Sequence, residues 1–216
     1  MAIKIKIPSS LKDITLRQYK KYMKIEDSVD NERFLSAKMI EIFCGVELDK
    51  VMLLQMKDST EISSIISKIF NEKPSLVTRF KLNGIEYGFQ PQLDELTLGE
   101  YIDLDTFIGD WENMEKAMNV LYRPVIVKLK DKYNIDEYVV GNEEILLDMP
   151  MDAVLSSIFF LWNLGLELSK IMTSSLEEGE IEALTQYLNS QENGVGINQF
   201  MHSLTEMLQD LKISLN

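Results

Sequence analysis

Apolar and polar residues alternate with different periods along the chain, and these changes of period predict where its elements begin. Residues 2–7, Ala-Ile-Lys-Ile-Lys-Ile, show the period of two that is typical of a half-buried strand with its lysines facing water. Pro8 ends this pattern. Thr15 then precedes a run with helical spacing, and its hydroxyl can accept a hydrogen bond from the first turn. We therefore predict a strand, a proline turn and a Thr-capped helix.

The same pattern recurs later in the chain, which predicts an internal duplication. Residues 3–19 (IKIKIPSSLKDITLRQY) align with residues 85–101 (IEYGFQPQLDELTLGEY) at an offset of 82. A second pair, LLQMKDSTEISSII at 53–66 and LLDMPMDAVLSSIF at 146–159, aligns at an offset of 93. Two collinear matches with similar offsets indicate repeated supersecondary units. Chance similarity between short amphipathic segments is the alternative.

Further elements follow from the same patterns. Helical spacing of apolar residues predicts helices at 31–44, 47–55, 59–71, 112–122 and 152–172. The stretch 75–89 predicts a β-hairpin, because Asn83 and Gly84 supply the two positive-φ positions of a tight turn. Residues 3–7 are the natural additional strand of this small sheet, since an isolated hairpin is marginally stable. Residues 125–145 predict a short strand or a loop insertion.

These elements predict a mainly α fold with a small antiparallel β-sheet, which is the α+β class. We expect a first strand–helix–helix unit in residues 1–81 and its duplicate in residues 82–172. Residues 173–216 then add an acidic helix, a Gly-containing break and a C-terminal amphipathic helix.

The C-terminal amphipathic helix is the predicted partner-binding surface. Its apolar residues recur at intervals of three and four, so that one face can lie in the groove of another protein. Packing of this helix on its own domain is the alternative. The residues expected to contact a partner are Phe200, Leu204 and Leu208.

Charge is distributed unevenly between the two predicted copies. The 216 residues carry a net charge of −13, but residues 1–82 hold 15 Lys/Arg and 11 Asp/Glu, whereas residues 83–216 hold 7 and 24. The acidic second half argues against nucleic-acid binding, which needs clustered basic residues. The basic first half can dock on an acidic partner, including the second half of another copy, or both halves are merely solvated. No apolar run approaches the roughly 18 residues of a membrane span, so we expect no membrane span.

The sequence offers little catalytic chemistry. Cys44 and His202 are the only residues of their types, which excludes a cysteine-based metal cluster and a multi-histidine site. Carboxylates in DELTLGEYIDLD are the best candidates for Mg²⁺ binding or acid–base hydrolysis. These candidates are Asp94, Glu95, Glu100, Asp103 and Asp105. A surface role accounts for them adequately, and we expect no enzyme activity and no cofactor.

The stretch GIEYGFQPQLDELTLGEYIDLDTFIGDWENMEKAMNVLYRPVI at 84–126 resembles small tail-region or assembly proteins of tailed bacteriophages, including the crAss-like phages of gut Bacteroides. FFLWNLGLEL at 159–168 extends the resemblance more loosely. The resemblance has no catalytic signature. It implies a virion component, an internal cargo protein ejected with the genome, or a tail assembly chaperone.

Three functional hypotheses follow. The first is a non-enzymatic virion protein in the tail or portal region, or an internal cargo protein, which resides in the host cytoplasm during assembly. Its expected partners are other phage structural or tail proteins, with self-association in addition. The second is a tail assembly chaperone that is absent from mature particles. The third is a Mg²⁺-dependent hydrolase.

Overall fold

The computed structural model describes residues 4–26, 28, 31–130 and 132–174, together with His202 and Thr205. Helices predominate in this part of the chain, and four strands form one antiparallel sheet. The predicted α+β class is therefore confirmed. Apart from its first two residues and from His202 and Thr205, the predicted 173–216 region lies outside the described residues.

Four helices follow one another in the first half of the chain. They are α1 (Leu16–Glu26), α2 (Glu32–Cys44), α3 (Leu48–Val51) and α4 (Met56–Phe70). The side chain of Asn31 caps α2, and Gly45 ends it in the left-handed conformation with φ of 64°. The prediction for 31–44 is thus confirmed, whereas the helix predicted at 47–55 is wrong beyond Val51. Only Val51 of α3 is buried, so little packing energy favours extending this helix.

The sheet has strands in the order β1 (Arg79–Leu82), β2 (Ile85–Phe89), β3 (Tyr122–Leu129) and β4 (Lys132–Ile135). The predicted hairpin joins β1 to β2, with φ of 50° at Asn83 and 82° at Gly84. The strand alternative for 125–145 is confirmed by β3 and β4, which form a second hairpin.

The predicted N-terminal strand is wrong for its described residues. Residues 4–9 form no strand, although Lys4 and Lys6 are exposed while Ile5 and Ile7 are partly buried against the core. The alternation therefore results from burial of one face of this segment and not from pairing with a neighbouring strand. The additional strands of the sheet come from β3 and β4 instead.

Between residues 82 and 174 the structure describes the helices α5 (Leu98–Phe107), α6 (Met114–Leu121) and α7 (Met151–Ser174). The helix predicted at 112–122 is confirmed by α6, which ends where the chain enters β3 at Tyr122. Residues 153–158 of α7 are almost completely buried.

Part of α7 also satisfies the length and composition of a membrane-spanning helix. Among the described residues, the window Met151–Leu168 alone meets these criteria. More than half of this window is buried inside the protein, and the core helix of a soluble protein meets the same criteria. The window therefore supports no argument about a membrane.

Both copies of the predicted unit contain the same local structure around a threonine. We call residues 11–19 the first Thr motif and residues 93–101 the second Thr motif. Each begins with one turn of 3₁₀ helix, Leu11–Asp13 or Leu93–Glu95, and continues into an α-helix. The Thr15 hydroxyl accepts from the Gln18 amide at 3.2 Å, and the Thr97 hydroxyl accepts from the Glu100 amide at 3.3 Å. Both predicted caps are confirmed, and their likeness supports the proposed duplication.

The two halves meet where the first Thr motif contacts residues 146–149, which we call the second Leu-Leu segment. The Leu16 amide donates to the Met149 carbonyl at 3.0 Å, and the Met151 amide donates to the Ile14 carbonyl at 2.9 Å. The Arg17 guanidinium donates to both carboxylate oxygens of Asp148, at 2.7 and 3.1 Å. One hydrophobic core therefore includes residues from both halves.

Candidate interaction surfaces

The carboxylates between Asp94 and Asp105 do not assemble into a metal site. Glu95 accepts a hydrogen bond from the Gln92 side chain at 2.6 Å, and Asp103 accepts from the Tyr138 hydroxyl at 2.7 Å. Within the described residues, no group of three or more His, Cys, Asp or Glu side chains is arranged to hold a metal ion. Asp103 and Glu95 thus have neighbours that fix their orientation, which is a structural role.

Glu100 occupies the centre of this region and is buried. Its carboxylate accepts from the Thr97 amide at 2.8 Å and from the Thr97 hydroxyl at 2.7 Å, and it contacts the Arg123 guanidinium at 2.9 Å. Burial raises the pKa of Glu100, but the hydrogen bonds and the charge of Arg123 outweigh burial and hold this pKa below its ordinary value. Glu100 is therefore ionised and anchors α5 to β3.

The residues that the sequence predicts to be functional do not include Arg123. The structure shows that this arginine is buried at the start of β3 and is paired with Glu100. A single arginine inside an apolar stretch that enters a strand is the signal that could have identified it, because buried charges require partners.

A cleft of about 590 Å³ lies beside the Glu100–Arg123 pair. Its lining is mainly acidic, because Glu95, Asp136 and Glu137 line it together with Glu100 and Arg123. Neither Cys44 nor His202 lines this cleft, so it contains no thiol or imidazole that could act as a nucleophile or base. The chemistry that the cleft offers is the accommodation of a basic or hydrogen-bonding group.

Cys44 has the properties expected of a structural cysteine. It is partly buried near the end of α2 and forms no disulfide. Burial raises the pKa of its thiol to about 11, so the thiol is protonated near neutral pH. This environment does not activate the sulfur as a nucleophile.

Large apolar side chains are exposed on β3 and on two segments that recur in the sequence. On α5, Leu98, Tyr101 and Ile102 face solvent. At the junction of α3 and α4, the exposed residues are Met52, Leu53 and Met56. We call residues 53–56 the first Leu-Leu segment, because they correspond to the second Leu-Leu segment at 146–149. Exposed apolar residues grouped in this way are typical of protein contact surfaces.

The partner-binding residues predicted on the terminal helix, Phe200, Leu204 and Leu208, lie outside the described residues. Thr205, between two of them, is described, and its hydroxyl accepts a hydrogen bond from the Trp162 indole at 3.4 Å. This contact links that position of the terminal region to α7 of the same chain.

Comparison of the chain with protein-family models, with curated proteins and with solved structures gives no significant match.

Proposed function

We propose that this chain is a non-enzymatic component of a tailed-bacteriophage particle, located in the tail or portal region or carried as internal cargo, and that it acts through contacts with other proteins. The observation that carries the contact function is the exposure of large apolar side chains on α5 and at the α3–α4 junction. The phage assignment rests on the sequence resemblance of residues 84–126.

The state of the candidate catalytic carboxylates supports this proposal. Glu100 pairs with Arg123 and accepts a hydrogen bond from the Thr97 amide at the start of α5, and Asp103 accepts a hydrogen bond from the Tyr138 hydroxyl. An acid–base pair must instead present its carboxylates to a substrate. The hydrolase hypothesis has a direct test. If it is right, Mg²⁺ raises the melting temperature of the wild type and not that of Asp103→Ala/Asp105→Ala. We expect no Mg²⁺-dependent shift in either protein.

The charge distribution is compatible with a position near packaged or passing DNA. Residues 83–216 contain 24 acidic and 7 basic side chains, so the second half repels phosphates. Such a surface limits adhesion to DNA while the basic first half remains able to contact acidic proteins.

Mass spectrometry of purified particles of the phage that encodes the chain tests the proposal. We expect the protein in mature particles at a fixed ratio to the tail and portal proteins. Detection in infected cells together with a tail protein, but not in mature particles, would replace the virion role with that of an assembly chaperone. Absence of the protein from both would contradict the phage assignment.

A further inference from the structure

The two Thr motifs have the same local structure, but two corresponding apolar positions differ in exposure. Leu16 of the first motif is fully buried, whereas the corresponding Leu98 of the second motif is 75% exposed. Tyr19 is buried and the corresponding Tyr101 is exposed. The second motif thus presents to solvent two positions that the first motif buries, whereas Leu93 and Leu96 remain partly buried against the core.

The two Leu-Leu segments show the reverse relation. Leu146 and Met149 of the second segment are almost completely buried, whereas the corresponding Leu53 and Met56 of the first segment are 78% and 64% exposed. Leu54 and Leu147, which also correspond, are both of intermediate exposure. Each half of the chain therefore provides one component of the internal contact and leaves the other component exposed.

We propose that the second Thr motif of one molecule binds the first Leu-Leu segment of another molecule, through the same residue positions that join the first Thr motif to the second Leu-Leu segment within the chain. The partner is accordingly a second copy of this protein. This inference rests on the proposed contact function and names its partner, but it does not depend on the phage assignment.

The charges of the two halves favour this pairing. The second Thr motif belongs to residues 83–216, which have a net charge of −17. The first Leu-Leu segment belongs to residues 1–82, which have a net charge of +4. Inside the chain, Arg17 pairs with Asp148 of the second Leu-Leu segment, and Lys12 lies close enough to Asp152 to offset part of the rise that burial causes in its pKa. In the proposed contact Asp94 stands at the position of Lys12 and Ser59 at that of Asp152, so this attraction has no direct equivalent. The opposite net charges of the two halves are therefore the electrostatic contribution that favours the pairing.

The intermolecular contact would reproduce the apolar part of the internal contact more closely than its polar part. Gly99 and Gln55 stand at the positions of Arg17 and Asp148, so that ion pair has no equivalent. Met56 begins α4, whereas Met149 precedes α7, so the backbone hydrogen bonds of Met149 and Met151 need not recur. Leu98, Leu53 and Met56 would therefore supply most of the affinity.

A contact between two different surfaces is directional. After a first contact each molecule retains one unused surface and the pair retains one of each kind, so association continues into an open chain or closes into a ring. This property distinguishes the proposed contact from a two-fold dimer, in which one surface contacts its own copy.

Sedimentation velocity of the purified full-length chain over a range of concentrations tests the proposal. We expect species larger than dimers to increase with concentration in the wild type. Leu98→Gln and Leu53→Gln should each weaken association by about tenfold or more, which corresponds to the loss of one buried leucine side chain from an interface. Leu129→Gln is the matched control, because Leu129 is 73% exposed on β3 and belongs to neither surface.

Mixing the two single variants gives the decisive result. Leu98→Gln retains the first Leu-Leu segment and Leu53→Gln retains the second Thr motif, so the mixture should form dimers and no larger species. A wild type that is monomeric throughout overturns the proposal, as does a Leu53→Gln protein that associates like the wild type. Association weakened equally by Leu129→Gln would also contradict it. Particle mass spectrometry is independent of these results, so failure of the phage assignment is distinguishable.

Discussion

The two Thr-capped helices begin with the same hydrogen bonds but are attached to the rest of the molecule by different chemistry. At the third helical position, the Gln18 side chain donates to the Ile42 carbonyl at 2.8 Å, whereas Glu100 is paired with Arg123 at 2.9 Å. Both side chains also accept a hydrogen bond from the backbone amide of their threonine. The capping box therefore determines where each helix starts. The side chain at the third position ends in an amide in the first motif and in a carboxylate in the second, and this difference determines which group it binds elsewhere in the fold.

An amide and a carboxylate place different demands on their surroundings. The Gln18 amide satisfies a carbonyl near the C-terminal end of α2 without introducing charge. The Glu100 carboxylate is buried and requires the equally buried Arg123 as its counter-charge. Helix α1 is thus attached to α2 by a neutral hydrogen bond, whereas α5 is attached to β3 by two charges that stabilise each other.

The largest expected effect comes from removing the charge of Glu100. In Glu100→Gln the cap acceptor is retained but Arg123 remains buried without a counter-charge, so we expect a loss of about 3–5 kcal/mol in the free energy of unfolding. The reciprocal change Gln18→Glu removes the donor to the Ile42 carbonyl and should cost less, about 1–3 kcal/mol. Urea denaturation at neutral pH measures both.

The double variant Glu100→Gln/Arg123→Met is the control for this comparison. It removes both charges, so most of the loss seen in Glu100→Gln should be recovered. Equal losses in the single and double variants would mean that the ion pair is not what attaches α5 to β3.

The same pair predicts how the difference between wild type and Glu100→Gln depends on pH. Because the folded-state pKa of Glu100 lies below its ordinary value of 4.5, ionised Glu100 stabilises the fold above that pH. This contribution is lost as the pH falls through the folded-state pKa. Urea denaturation of both proteins at neutral pH and at about pH 3 should therefore show a smaller difference in acid.

Other carboxylates near the pair, Asp136 and Glu137, are present in both proteins, so their contribution largely cancels in this comparison. A stability difference that stays constant between neutral pH and acid would show that folding does not lower the pKa of Glu100.

A smaller effect is expected at the threonine caps, where the two copies should behave alike. Thr15→Ala and Thr97→Ala each remove a hydroxyl that accepts from the first turn, at a cost of about 0.5–2 kcal/mol. Thermal or urea denaturation of the two variants should give losses of similar size. A large loss at only one threonine would contradict the equivalence of the two motifs. Thr→Ser variants at the same positions should restore most of the stability, because serine caps comparably well.

Some parts of the fold are determined by a few adjacent residues. Asn83-Gly84 specifies its hairpin, and Thr15 and Thr97 specify their helix starts, because backbone conformation and capping depend on a few adjacent residues. The same local reasoning failed at residues 4–7, where one-sided burial produces the alternation of a strand without a neighbouring strand.

The candidate surfaces could not be predicted in this way. Leu16 and Leu98 occupy equivalent positions in nearly identical patterns, yet one is buried and the other exposed. The difference arises because the second Leu-Leu segment is brought to the first Thr motif by the tertiary fold. Arg123 was missed for the same reason, since its partner Glu100 lies on another element.

Oxidation of Met56 and Met149 by hydrogen peroxide, followed by peptide mass spectrometry of the folded full-length chain, tests the central claim most directly. These corresponding methionines differ in exposure, so in dilute protein Met56 should be oxidised much faster than Met149. At high protein concentration the oxidation of Met56 should slow down in the wild type and remain fast in Leu98→Gln. Similar oxidation rates at both methionines in dilute protein, or a Met56 rate that does not change with concentration, would contradict the account.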